Sequence, residues 1–522
     1  MITRHAPSGA VAAANHLAAA AGSSMFDFGG NAVDAAIAAA AAMAVTSPHM
    51  CGLGGDLFAL ISSNEDPPAA LNASGRAGSG ADARQLRSRG IDRIPFQGDI
   101  AGVTVPGLVD GLVALHGRYG TLPLDQLLAP ARRLAEQGFP VSPTLAQESV
   151  GLNPRARAEA FGTASALVEG RRLRLPGVAR ALEAIASGGR AGFYEGEVGQ
   201  ALLTTGAELF SPQDLAVSQA NWVEALGLEA FGRMLWTVPP NSQGYLALSS
   251  AWIADAVGVP DDPEKEAWAF ILVEAARQAA HDRVAVLHEN TDGAALLAPA
   301  RLESRAAAVR ELASVGLADV YKSGGTTYLC AVDRDRMGVS LIMSNGADFG
   351  SQLLVDGHGI FLHNRGAGFS LVEGHAAEYV PGARPPHTLS PLLVTALDGR
   401  LDGVIGTMGG DAQPQIILQL LARTLISEQN PGEALAAPRW YLSRDPSTGF
   451  DVWASDELPI VRLEHGAPTS WAEGLQRRGY TVAHGAPGDQ NFGHAQIIRL
   501  GPDDMLSGAA DPRSADGAMV GR

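Results

Sequence analysis

Two threonines stand directly behind two glycines in "SGGTTYLCAVDRD", residues 323 to 335, and an apolar, strand-like run follows them. A threonine hydroxyl is a weak nucleophile until a neighbouring base takes its proton. A chain broken before Thr326 would supply that base itself, as a freed α-amine with an ordinary pKa near ~7.7–8.0. Gly324 and Gly325 would leave the scissile bond flexible and unhindered, and Thr326 at the mouth of a buried strand would hold its hydroxyl rigidly. The same residues also read as a plain Gly-Gly turn into a strand, since threonine favours strands.

A second glycine pair, Gly409–Gly410 in "TMGGDAQPQ", lies between a predicted strand and a predicted helix. Successive glycines let backbone N–H groups converge on one point, as an oxyanion site requires; a simple strand-to-helix turn is the alternative. Asp411 follows the pair as a candidate for substrate or amine contact, or as the N-cap of the next helix. A third glycine-rich run, "CGLGGD" (51–56), could cradle an anion with its N–H groups. Neither a dinucleotide fingerprint nor a P-loop is present, however, and its helix–loop–strand order is reversed, so a structural turn is the better reading.

The surrounding elements are legible from periodicity. "GGNAVDAAIAAAAAMAV" predicts a buried helix from about Asn31 to Val45, stopped by Pro48, with strands at Leu57–Ser62 and about Ala69–Ala73. From Pro106 to about Ala276 the pattern is mainly helical, with a short strand in "WTVPP" and one long amphipathic helix over "EAWAFILVEAARQAAHDRVAVL". After Gly325, "TTYLCAVDRD" and "GVSLIMSN" predict a hairpin, and "SPLLVTALDGRLDGVIGTMG" another turning at Asp-Gly. The helix "PQIILQLLARTLIS" and the strand "HAQIIRL" follow. Strands with covering helices imply an α+β layered fold.

The totals narrow the function. The 522 residues are 46% hydrophobic, carry a formal charge of −17 and show no Lys/Arg run, which argues against nucleic acid and anionic membranes as partners. Only Cys51 and Cys330 are present, so a disulfide framework and a four-cysteine zinc site are excluded; buried free thiols are expected. No span reaches ~18 uninterrupted apolar residues and no signal-like start is seen, so a cytoplasmic location without a membrane partner is expected.

Taken in order, "GGNAVDAAIAAAAAMAVTSPHMCGLGGDLFALI", "VPGLVDGLVALHGRYGTLPLDQLLAPARRLAEQGFPV", "VPPNSQGYLAL", "GGTTYLCAVD", "GTMGGDAQPQ", "EALAAPRW" and "GAADPRSADGAMVG" resemble the γ-glutamyltransferase (γ-glutamyltranspeptidase) family of N-terminal-nucleophile hydrolases almost end to end. The resemblance implies a four-layer αββα sandwich made as one proenzyme. It would cleave itself at Gly325–Thr326 into a large subunit (1–325) and a small one (326–522), with a homodimer of processed units as one expected assembly. Thr326 would be the nucleophile in cleavage and in catalysis, Gly409 and Gly410 the oxyanion donors, and Ser344 the hydroxyl the family keeps beside the nucleophile. A small-molecule amide would be the substrate, and no metal or cofactor would be needed.

The substrate-binding half departs from the family pattern. Where γ-glutamyl-specific members have a carboxylate-binding arginine, this chain has Ser74, with Arg76 two residues on; where they bind the α-amine, it has Gly346 (Asn345 adjacent), Arg365 and Gly368. Two pocket hydroxyls appear as His387 and Thr388, and Tyr328 replaces a common histidine. An ammonium needs an anion or several acceptors, so the loss of the aspartate at 368 points to an acyl group with a carboxylate and no α-amine. Arg365, His387 and Arg76 are the candidate carboxylate partners. "HNRGAGFSL" resembles a transferase-like subgroup that includes oxamate amidohydrolase and some cephalosporin acylases. The expected reaction is acyl transfer to water or an amine, from a γ-glutamyl donor of glutathione metabolism or from an oxamate- or glutaryl-like amide. An unprocessed binder of small anions is the rival from another class.

Overall fold

The computed structural model describes residues 2–63, 67–310, 325–443, 459–501 and 503–522. Ser323 and Gly324 of the threonine-bearing run lie outside the described residues; Gly325 and Thr326 lie within them.

Side-chain alternation builds the layers. In the strand Thr326–Val332, Leu329 and Ala331 face one side while Tyr328, Cys330 and Val332 face the other. Its neighbours alternate alike: Leu57, Ala59 and Ile61 of Asp56–Ser62 join the first face, and Phe58 and Leu60 the second. Among the described residues this sheet has seven strands, ordered Ala518–Gly521, Ala10–Ala13, Thr326–Val332, Gly338–Ser344, Asp56–Ser62, Ala69–Ala73 and Asn221–Glu224. A second seven-stranded sheet runs Arg4–Ala6, Leu506–Ala510, Ala495–Leu500, Leu401–Thr407, Leu392–Thr395, Arg233–Thr237 and Leu226–Ala230. The two sheets share an apolar layer containing Tyr328, Ile342, Leu393, Val404 and Ile498. Helices including His16–Asp27 and Ala32–Thr46 cover the first sheet, and Tyr245–Val257, Glu266–Ala280 and Gln413–Leu421 cover the second. This is the four-layer αββα sandwich expected from the sequence.

The alanine-rich helix shows how a fully buried element is anchored. Asn31 caps it, accepting from the N–H groups of Val33 and Asp34, while Asp34 accepts from the Asn31 N–H at 3.0 Å in a capping box. Asp34 also takes the Thr121 N–H at 3.0 Å, so the acidic residue in this apolar run is bonded where it is buried. Cys51 and Cys330 are buried and free, as expected. Among the described residues no helix is long and apolar enough to cross a membrane.

Two predicted stretches differ. The largely helical region also holds the strands Asn221–Glu224 and Leu226–Ala230, each at the end of one sheet, where half-buried positions blur the period-2 signal; the strand expected at Trp236 is present as Arg233–Thr237. The long amphipathic helix ends at Ala280, and Arg283 opens a separate turn, Arg283–Val286. Asp282 lies at the break, paired at 3.0 Å with Arg301 and 2.9 Å with Arg305.

Candidate active site

Strand register aligns the site. Thr326 pairs with Ser344, and Ser344 pairs on its other side with Asp56, so three polar residues stand in a row across adjacent strands. All three are buried. Ser344 is the hub. Its Oγ lies 3.0 Å from Thr326 Oγ and donates to the Gly325 carbonyl at 2.7 Å. It accepts from the Gly346 N–H at 2.8 Å and from Arg365 Nη2 at 3.1 Å. The Thr326 and Ser344 hydroxyls are within hydrogen-bond distance of each other, and either can be the donor. Gly325 is enclosed by backbone: a Cβ there would stand 2.6 Å from the His49 carbonyl oxygen and 2.9 Å from the Asp348 amide and carbonyl.

The second sheet brings the glycine pair to the same end. Leu401 packs on Gly338, opposite Val332, whereas Gly406 packs on Tyr328, where a Cβ would stand 2.3 Å from the ring. The strand Leu401–Thr407 therefore runs toward the Thr326 end, and Gly409–Gly410 follow it. Gly409 has φ 141° and Gly410 φ 54°, both in the region that favours glycine. Among the described residues neither donates its N–H to a backbone carbonyl. Gln243 Nε2 grips the Gly410 and Thr388 carbonyls, each at 3.0 Å.

Arg365 enters from the short turn Arg365–Gly368 with its side chain buried; Nη2 reaches Ser344 and Nη1 the Thr388 hydroxyl at 3.0 Å. A charge-balancing anion lies behind this pair. Asp56, read in the sequence only as the end of a glycine turn, accepts from His387 Nε2 at 3.1 Å and from the Gly75 N–H at 2.9 Å. Burial alone would raise its pKa, but His363, the His387 hydrogen bond and Arg365 together bring it to about 2. The signal for it was an acidic residue opening a strand buried along its whole length, where a charge must be paired. His363, 4.0 Å from Asp56, and Gln243 were likewise in quoted motifs without an assigned role.

Several predicted contacts are not assembled with these. His387 is fully buried, edge-on to Phe58; its Nε2 is spent on Asp56 and its Nδ1 accepts from the Leu389 N–H. Burial and the nearby Arg365 hold its pKa down to about 3, so it offers a substrate no positive charge. Arg76 turns to a half-exposed cluster, 3.5 Å from Glu289 and 3.2 Å from Asn221 Oδ1. Asn345 lies just past the strand's end at Ser344, with its Nδ2 on the Pro48 carbonyl at 3.1 Å. Ser74 bonds to Asn72 Oδ1 at 2.8 Å. Asp411 caps no helix: the cap of Gln413–Leu421 is Ala412, and Asp411 Oδ1 is 3.1 Å from Arg283 Nη2. Tyr328 hydrogen-bonds Ser340 at 3.0 Å inside the inter-sheet layer. "CGLGGD" is a packing turn: a Cβ on Gly54 would stand 2.2 Å from the Phe361 carbonyl oxygen and one on Gly55 2.5 Å from that of Ser344.

Comparison with known proteins places the chain in a family. Residues 18–521 match the family described as Gamma-glutamyltranspeptidase. The chain is 34% identical to the oxamate amidohydrolase proenzyme of Klebsiella pneumoniae and 33% identical to a glutathione hydrolase-like proenzyme, YwrD, of Bacillus subtilis, with 98% of each chain covered in both cases. It superposes on the crystal structure of a cephalosporin acylase from Bacillus halodurans with a TM-score of 0.89 at 31% identity, over 100% of this chain and 97% of that one. The chain belongs to the gamma-glutamyltranspeptidase family and is a self-processing amide hydrolase/acyltransferase of the N-terminal-nucleophile type.

Proposed function

We propose that the chain cleaves itself at Gly325–Thr326 and then uses Thr326 to hydrolyse amides whose acyl group carries a carboxylate and no α-ammonium. In processing, Thr326 Oγ attacks the Gly325 carbonyl carbon while Ser344 Oγ, 2.7 Å from the carbonyl oxygen, stabilises the developing negative charge. The C–N bond breaks, the hydroxyl proton ends on the Thr326 nitrogen, and water hydrolyses the resulting ester. Residues 1–325 and 326–522 are then two subunits of one sandwich.

In turnover the freed α-amine takes the Thr326 hydroxyl proton as Oγ attacks the substrate carbonyl. The Gly409 and Gly410 N–H groups receive the oxyanion, the protonated amine leaves, and water releases the acyl group. The observation that carries the substrate reading is the buried guanidinium of Arg365, 3.1 Å from Ser344 Oγ, which itself is 3.0 Å from the nucleophile. A cation so placed suits a carboxylate and opposes the α-ammonium of a γ-glutamyl group. Gly368, on the same turn, supplies no further carboxylate beside Asp56 that would favour an ammonium. The oxamate amidohydrolase among the relatives acts, by its name, on a substrate of this chemistry.

The test is release of ammonia or aniline from oxamate, a glutaryl anilide and γ-glutamyl anilide by the purified protein. Turnover of a carboxylate-bearing amide without an α-amine is the expected result. Preferential turnover of γ-glutamyl anilide would overturn the substrate reading.

A further inference from the structure

We infer that Arg283 is a positioning residue of the reaction, acting through Asp411 on the Gly409–Gly410 turn. The inference rests on the reading of that turn as the oxyanion site. Asp411 is the middle residue of the short turn Gly410–Ala412, closed by the Ala412 N–H on the Gly409 carbonyl at 3.0 Å. Neither glycine has a Cβ, and both occupy conformations with φ above 50°, so beyond the Ala412–Gly409 bond no side chain of the pair fixes where the N–H groups aim. Its orientation comes from what grips it. Gln243 holds the Gly410 carbonyl at 3.0 Å, and Arg283 Nη2 holds the Asp411 carboxylate at 3.1 Å.

Both side chains of the ion pair are nearly sealed from water, at 8% and 0% exposure. A buried ion pair adds little stability over two apolar side chains of the same size. What the pair does supply is a charged tether: it joins the turn by ionic contact to the separate helical turn Arg283–Val286, which opens where the preceding helix breaks. An oxyanion donor works only within a few tenths of an ångström of its distance, so a loosened turn loses transition-state stabilisation while ground-state binding persists. Self-cleavage makes a different demand. The Gly325 carbonyl accepts from Ser344, so processing does not depend on the grip. Arg283 also borders a cavity of about 280 Å³ shared with Gly368, Phe369 and Pro386, which makes direct contact with substrate the rival explanation.

The experiment compares Arg283→Lys, the paired variant Arg283→Met/Asp411→Leu, and Gly409→Ala, using the panel amide that the parent enzyme turns over fastest. The paired variant removes both charges together and strands neither. We expect it to cleave itself at the parental rate, keep the parental KM and lose roughly 10–100-fold in kcat, with Arg283→Lys recovering most of that loss. Parental kcat in the paired variant, with kcat abolished in Gly409→Ala, would overturn the role of Arg283 and leave the glycine pair in place. Parental kcat in both would overturn the oxyanion reading and this inference with it. A raised KM at unchanged kcat would make Arg283 a substrate contact, and parallel loss of self-cleavage would reduce it to a structural residue; either result also refutes the inference. If the paired variant does not accumulate, Arg283→Gln against Arg283→Lys decides by the same split.

Discussion

Ser344→Ala removes the atom on which the whole site converges. Its Oγ makes four contacts of 2.7–3.1 Å: to the Gly325 carbonyl, the Gly346 N–H, the Thr326 hydroxyl and Arg365. All four partners are buried, so no solvent replaces the lost oxygen. Each polar group left unsatisfied costs about 1–3 kcal/mol, and the guanidinium bond sits at the upper end because it is charged. The kinetic effect follows from one contact. Losing a single hydrogen-bond donor to a developing oxyanion slows acyl chemistry roughly 10²–10³-fold, equivalent to about 2.7–4 kcal/mol of barrier. Self-cleavage of freshly synthesised Ser344→Ala should slow by that factor, followed as conversion of the full chain to two fragments on a denaturing gel. Ser344→Thr, which keeps the hydroxyl, should recover most of the rate. Thermal unfolding of the uncleaved chain separates this from misfolding. Ser344→Ala cleaving at the parental rate while folded would refute the assignment of Ser344 to the scissile carbonyl.

Other expectations follow from the same geometry. Gly325→Ala places a methyl 2.6 Å from the His49 carbonyl and must shift the scissile bond, so a folded variant that remains one chain on the gel is expected; normal cleavage would show that the enclosure is unimportant. Arg365→Gln should lower kcat/KM for a carboxylate-bearing amide by roughly 10–150-fold, the worth of a charged hydrogen bond, and much less for a neutral amide; equal losses on both would remove Arg365 as the carboxylate partner. Burial holds His49 and His387 down to about 3 and His494 to about 4. These imidazoles refuse protons that the unfolded chain accepts below about 6.5, so stability is full above that pH and falls as pH drops. Each contributes about 1.4 kcal/mol per pH unit, and Asp56 adds its own loss only below about 4. Melting temperature should therefore decline from pH 6.5 downward, and a flat profile between pH 7 and 5 would contradict the burial of neutral histidines.

The sequence was most legible where one rule governed. The strand Ala69–Ala73 lies where its apolar pattern put it, and the alanine-rich helix starts at its Asn31 cap as the capping rule requires. Edge strands such as Leu226–Ala230 were missed because their half-buried faces carry no clean alternation. At the site, the Thr326 strand and the two glycine turns could be placed from local order, whereas the roles expected of them came from the family resemblance. What could not be read was which way long side chains reach. Arg76 and Arg365 are both arginines near an aligned pocket position, yet Arg76 ends on Glu289 and Asn221 while Arg365 ends on Ser344 and Thr388. His387 was expected to hold a substrate, but a buried aspartate 331 residues away in sequence claims its ring. Arg283 read as one more residue of a long helix, because nothing local reveals a break enforced by ion pairs to a later helix.

The central claim is that Thr326 attacks the bond in front of itself and then serves as the nucleophile. Intact mass and amino-terminal sequencing of the purified protein test it most directly. The account predicts two fragments of 325 and 197 residues' length from the 522-residue chain, the smaller beginning at Thr326, and one uncleaved, inactive chain for Thr326→Ala. A parent protein that hydrolyses amides as a single chain, or a Thr326→Ala variant that still cleaves at this bond, would contradict it.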